Sequence, residues 1–143
     1  MPRIDEDEVQ KLQKFVNMLN EESTNGAVVV VEGKRDVNAL VSVGFKGNVV
    51  TLNNFKGLNR LVENLERTSK IILMLDMDRT GKYLTHKILT LLQYKGNNVD
   101  MFYKKTLSEI TKGKVRHTEE IMIYAKYISD VSQIYKGRFA SWI

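Results

Sequence analysis

Two short segments of this chain carry carboxylates at positions where they could share a cation. Glu32 lies in Val31-Glu32-Gly33-Lys34-Arg35-Asp36, directly after the apolar run 27–31. Asp76 and Asp78 lie in Leu75-Asp76-Met77-Asp78-Arg79-Thr80-Gly81, directly after the apolar run 71–75. If the two runs are neighbouring strands, three carboxylates converge on one rim. Two such groups about 5 Å apart repel by roughly 3 kcal/mol at an effective dielectric of ~20. A hard divalent cation with oxygen ligands relieves that repulsion, and Mg²⁺ often takes only one or two carboxylates, filling its shell with waters and substrate phosphate oxygens. An ion so held neutralises a phosphoryl group and steadies the attacking and leaving oxygens. The chain has no cysteine and two histidines, which excludes disulfides and thiolate sites and argues against a soft metal.

Cationic side chains sit close to these carboxylates. Lys34, Arg35, Arg79 and Lys82 each lie within a few residues of the cluster and are candidates for phosphate contact, with Lys34 placed to stabilise charge developing on a phosphoryl centre. Gly33 and Gly81 stand where strand turns into helix, and glycine lets the backbone turn tightly and approach a phosphate. Asp36 alone reads as an anion in the first turn of its own helix. Further on, Lys104, Lys105, Lys112, Lys114 and Arg116 form a basic segment flanked by Phe102, Tyr103 and His117, a combination suited to backbone tracking and to stacking on unpaired bases. His86, His117 and Trp142 read as packing or surface residues.

The elements that must position these groups follow from hydrophobic period. Val9, Leu12, Phe15, Val16 and Leu19 recur at helical spacing over residues 5–22. Residues 27–31 are a short β-branched run and 71–75 another apolar one, the pattern of strands buried on both faces, and 48–52 and 99–103 read as the second and fourth strands. Between them residues 36–43, 57–65 and 80–94 read as helices, each followed by a break, and 118–131 as a last helix. The order helix, then β-α-β-α-β-α-β, then a partly helical tail implies a parallel sheet covered on both sides. Ligands of such sheets sit beyond the carboxyl ends of the strands at a topological switch point. Both carboxylate segments fall there.

The 143 residues fit a single domain. No apolar run exceeds five residues, far short of the ~20 needed to span a bilayer, and the acidic residues 1–8 are not expected to act as a signal peptide. With the absence of cysteine this points to a cytoplasmic protein with no membrane partner. The formal charge of +5 is unevenly spread: residues 1–78 hold 10 Lys/Arg against 12 Asp/Glu, and residues 79–143 hold 12 against 5. A basic second half suits a polyanionic partner.

The pattern of an apolar run, Glu-Gly-x-x-Asp, then about forty residues later an apolar run and Asp-x-Asp-x-x-Gly, resembles the Toprim domain. That domain is shared by topoisomerases, bacterial primases, recombination-repair proteins, old-family nucleases and 5S ribosomal RNA maturases. The resemblance covers about residues 27–103, and Val30 to Asp36 looks most like the maturase form. It implies an α/β, Rossmann-like Toprim fold of about four parallel strands between helices, with the first and third strands adjacent. It also implies Mg²⁺ (with Mn²⁺ as a substitute) on Asp76 and Asp78, and a Glu32 that shares the metal or moves a proton. The expectation is metal-dependent phosphodiester cleavage of nucleic acid, RNA favoured over DNA. Two other readings remain: a non-hydrolytic metal- and RNA-binding module, and a haloacid-dehalogenase-type phosphatase, since Asp76-Met77-Asp78-Arg79-Thr80 also fits Asp-x-Asp-x-Thr.

Overall fold

The computed structural model describes residues 4–76 and 78–128. Helix α1 (Glu6–Thr24) starts at Asp5, whose carboxylate accepts the Glu8 amide at 2.8 Å, and it buries the predicted stripe from Val9 to Leu19. There follow β1 (Ala27–Val31), α2 (Lys34–Ser42), β2 (Val49–Thr51), α3 (Leu58–Leu65), β3 (Lys70–Leu73), α4 (Arg79–Tyr94), β4 (Val99–Asp100) and α5 (Phe102–Ile110). A 3₁₀ segment, Thr118–Tyr124, comes last, and residues 125–128 are α-helical.

The four strands form one parallel sheet in the order β2-β1-β3-β4. Alternate strand residues face opposite sides, which is why the runs look uniformly apolar. Val29, Val31, Ile72 and Met74 pack with α1, α2, α5 and the 3₁₀ segment, while Val30, Ile71, Leu73 and Leu75 pack with α3 and α4. The chain leaves β1 for β2 on one side and returns to β3 on the other, so the switch point falls between β1 and β3. Their pairing sets Val30 opposite Leu73, and the Met74 amide extends the ladder by donating to the Val30 carbonyl at 2.9 Å. That register carries Glu32 and Asp76 out of the sheet side by side.

Two predicted boundaries shift by more than two residues. The fourth strand, read as 99–103, ends at Asp100, and Phe102 begins α5. The Asp100 carboxylate accepts the Phe102 amide at 2.6 Å, turning the chain, and Tyr103 packs edge-on against Phe15 of α1 with ring centroids 5.6 Å apart. Phe102, Tyr103 and Leu107 thus served a helix, which a five-residue apolar run cannot distinguish from a strand. The helix predicted over 118–131 opens as 3₁₀ through Tyr124, and residues 129–131 and Trp142 lie outside the described part. Among the described residues, no helix is long and apolar enough to cross a membrane.

Candidate metal centre

Glu32 is the first residue beyond β1, and its Oε1 accepts the Asp76 amide at 3.4 Å, a long bond that ties the two strand ends together. Burial is the main influence raising the Glu32 carboxyl above its usual range, and the Asp76 and Asp78 charges push the same way. Asp76 is mostly shielded, and its Oδ1 is buried with no hydrogen-bond partner among the described residues. Its Oδ2 lies 3.2 Å from Nδ1 of His117, which reaches the site from the loop before the 3₁₀ segment. Asp78 is exposed, and its Oδ1 caps α4 by accepting the Gly81 amide at 2.7 Å. One donor atom from each of Asp76, Asp78 and His117 falls within 4.8 Å of the others.

This set fits a divalent cation. A buried carboxylate oxygen without a donor is costly unless something positive meets it, and the neighbouring Glu32 carboxyl already registers the crowding of negative charge. The hydrogen bond to Asp76 also raises the affinity of His117 for its proton. With two carboxylates and an imidazole, the donors suit Mg²⁺ or a slightly softer ion such as Mn²⁺.

The two glycines serve the site differently. A Cβ on Gly81 would lie 2.0 Å from the Asp76 carbonyl oxygen, so the first turn of α4 can fold back over Asp76 only without a side chain there. Gly81→Ala is therefore expected to lower stability by at least about 1–3 kcal/mol, the usual cost of overpacking, and to weaken divalent-cation binding; urea unfolding and a metal titration check both. Gly33 has extended backbone, and its amide donates to Asp36 Oδ2 at 3.1 Å. Asp36 thus acts as the expected helix-start anion, and the Gly33 amide is already engaged.

Lys34 and Arg35 in the first turn of α2, and Arg79 and Lys82 in that of α4, are exposed and flank the cluster along the chain. Lys105 is exposed on α5, but Lys104 is buried, 5% exposed. Its Nζ donates to Thr118 Oγ1 at 2.9 Å, and that hydroxyl donates to the Met74 carbonyl at 3.1 Å. Burial lowers the proton affinity of Lys104, while Asp76, Asp36 and Glu32 oppose that effect. Lys104 is therefore a buried amine facing the carboxylates, whereas the sequence pattern put it in a basic surface segment. His117 was missed: it lies about forty residues past Asp76 in no motif. The nearest sequence signal is Glu120, whose carboxylate accepts the Arg116 and His117 amides at 3.1 and 2.7 Å and fixes the turn that aims the imidazole.

A Toprim domain model matches residues 26–103, from the start of β1 into α5. The chain belongs to the Toprim-domain family. It is similar to the UPF0292 protein of Archaeoglobus fulgidus, 30% identical over 116 residues that cover 81% of this chain and 90% of that one. The UPF0292 protein of Methanosarcina barkeri is 27% identical and covers 81% of each chain. A solved structure of a protein from Aquifex aeolicus aligns with a TM-score of 0.65 at 34% identity, covering 76% of this chain and 96% of that chain. Membership of the family supports a metal-binding, nucleic-acid-related role.

Proposed function

We propose that this protein is a metal-dependent phosphodiesterase that cleaves nucleic acid, with RNA favoured over DNA. The observation that carries the reading is the meeting of Glu32 with Asp76, Asp78 and His117 at the switch point, around a buried Asp76 oxygen that has no partner among the described residues. Asp76 and Asp78 would hold Mg²⁺, or Mn²⁺ in its place, with His117 as an added donor. A divalent ion there supplies charge neutralisation at the scissile phosphate and stabilises the attacking and leaving oxygens.

The chain's own groups account for the rest. Glu32, whose proton affinity is raised by burial and by its acidic neighbours, is suited to take a proton from the attacking water as its oxygen bonds to phosphorus and the phosphorus–oxygen ester bond breaks. Lys34 stands next to Gly33 at the start of α2, where it can stabilise negative charge growing on the phosphoryl oxygens. Arg35, Arg79 and Lys82 are suited to grip the flanking phosphates. Lys104 keeps the site from being purely anionic when a phosphate approaches. The phosphatase pattern assigns no part to Glu32, whereas here Glu32 touches the Asp76 backbone.

The test uses purified full-length protein with end-labelled RNA and DNA, in Mg²⁺ or in chelator. Cleavage in Mg²⁺ alone is expected, and Glu32→Gln should lower its rate by about 10²–10⁴-fold while leaving binding intact. Tight RNA binding without cleavage would favour the non-hydrolytic module. Phosphate release from small phosphomonoesters, lost in Asp76→Asn, would favour the dehalogenase-type chemistry.

A further inference from the structure

Beside the carboxylates lies a cleft of about 540 Å³ between α4 and α5, within the ~300–1,000 Å³ span of small-ligand pockets. Its inner surface is apolar, formed by Leu73 at the end of β3, Leu75 just beyond it and Leu89 of α4. Phe102 lines it from the first turn of α5 with 59% of its surface exposed, next to Met101 at 41%. Lys82, His86 and Lys105 contribute polar groups and are exposed. Asp76 lines the same cleft, so a ligand filling it reaches the proposed metal centre without leaving the surface.

An occupant must be flat and apolar on its faces, must carry acceptors or negative charge toward lysines, and must extend to a phosphate at Asp76. An unpaired nucleobase with its sugar and adjoining phosphates meets all three conditions. A paired base does not, because a duplex keeps its bases stacked inside and offers only edges and backbone. Exposed Phe102 gives the stacking face that single-stranded recognition uses, and Lys82 and Lys105 supply the charge complementarity. Resting on the phosphodiesterase reading above, we infer that this cleft is a base-binding subsite that holds one unpaired nucleobase of the strand whose phosphate sits at Asp76 and Asp78. It makes the substrate a single strand, a loop or a frayed end, and it fixes which phosphate meets Glu32.

The experiment measures binding of short single-stranded RNA of mixed sequence, carrying a single abasic residue at each position in turn. The protein is full-length Glu32→Gln in Mg²⁺, which keeps the strand whole. An abasic residue at one position should weaken binding about tenfold, the scale of losing one base–aromatic stack. In Phe102→Ala on that background the intact strand should bind about tenfold more weakly, and the same abasic residue should cost nothing further. Phe102→Tyr should restore the sensitivity. If no position is sensitive, if the abasic loss persists undiminished in Phe102→Ala, or if no RNA binds, the subsite is overturned. If base-dependent binding appears but the unsubstituted protein leaves the RNA uncut in Mg²⁺, the phosphodiesterase reading falls and the subsite stands.

Discussion

Asp76→Asn is expected to make the metal-free protein more stable and to remove the further stabilisation that Mg²⁺ gives. The two effects have opposite sign and one cause. Without a cation, Asp76 places charge beside Glu32 and Asp78, and burial keeps water from screening it fully. Relief of one such contact amounts to roughly 1–3 kcal/mol at an effective dielectric of ~20, and the lost attraction of Asp76 for His117 and Lys104 takes back part of it. For a chain of this length the balance is a rise in melting temperature of a few degrees at most. The asparagine keeps the shape and an acceptor for His117 but loses the charge that a cation needs. Wild type at a Mg²⁺ concentration 100 times the dissociation constant should gain about 2.7 kcal/mol, and the variant almost none. Thermal unfolding in chelator and across a Mg²⁺ series reads both halves. An undiminished Mg²⁺ response in Asp76→Asn would remove the metal centre from this position.

The second large effect lies away from the carboxylate rim. Glu8, in the first turn of α1, is 1% exposed and accepts hydrogen bonds from Lys114 Nζ at 2.6 Å and from the Tyr124 hydroxyl at 2.8 Å, with Lys112 Nζ at 3.7 Å. Burial and the Glu8 charge hold the Tyr124 hydroxyl far above its usual pKa, so it remains a donor throughout the physiological range. Glu8→Ala removes the acceptor and leaves the buried Tyr124 hydroxyl facing the space. Breaking a buried charged network at one partner costs about 3–5 kcal/mol, a large part of the ~5–15 kcal/mol that holds a domain folded. Equilibrium urea unfolding should show that loss, and Glu8→Gln a smaller one, because its amide oxygen still accepts. A change below about 1 kcal/mol in Glu8→Ala would mean the network contributes no net stability.

That network also bears on the site. Tyr124 ends the 3₁₀ segment that begins just after His117, and Thr118 links Lys104 to the Met74 carbonyl. Anchoring Tyr124 to α1 therefore fixes the turn that brings an imidazole to Asp76. Metal affinity in Glu8→Ala, measured where the variant is still folded, should fall along with stability.

How much of this could be read in advance depends on the range of the signal. The strands at 27–31 and 71–75 and the helices that follow them rest on local period and apolar runs, and the structure keeps them with small shifts at the ends. Glu32, Asp76 and Asp78 were placed for the same reason, since Glu32 directly follows β1 and the aspartates lie just past the end of β3, where a parallel sheet delivers its side chains to one edge. The fourth strand was overread because Phe102 and Tyr103 satisfy a strand and a helix equally over so few residues.

The sequence alone determined the parallel α/β alternation and the acidic edge, because both are written in neighbouring residues and in the two-residue and near-four-residue periods of the backbone. The resemblance already implied that β1 lies against β3, as the pairing shows; only the tertiary structure decided that Lys104 turns inward to Thr118, that His117 meets Asp76, and that Glu8 clasps residues more than a hundred positions away. Those partners are chosen by the packing of whole helices on the two faces of the sheet, and no local spacing encodes which distant side chain a fold will bring to a given carboxylate.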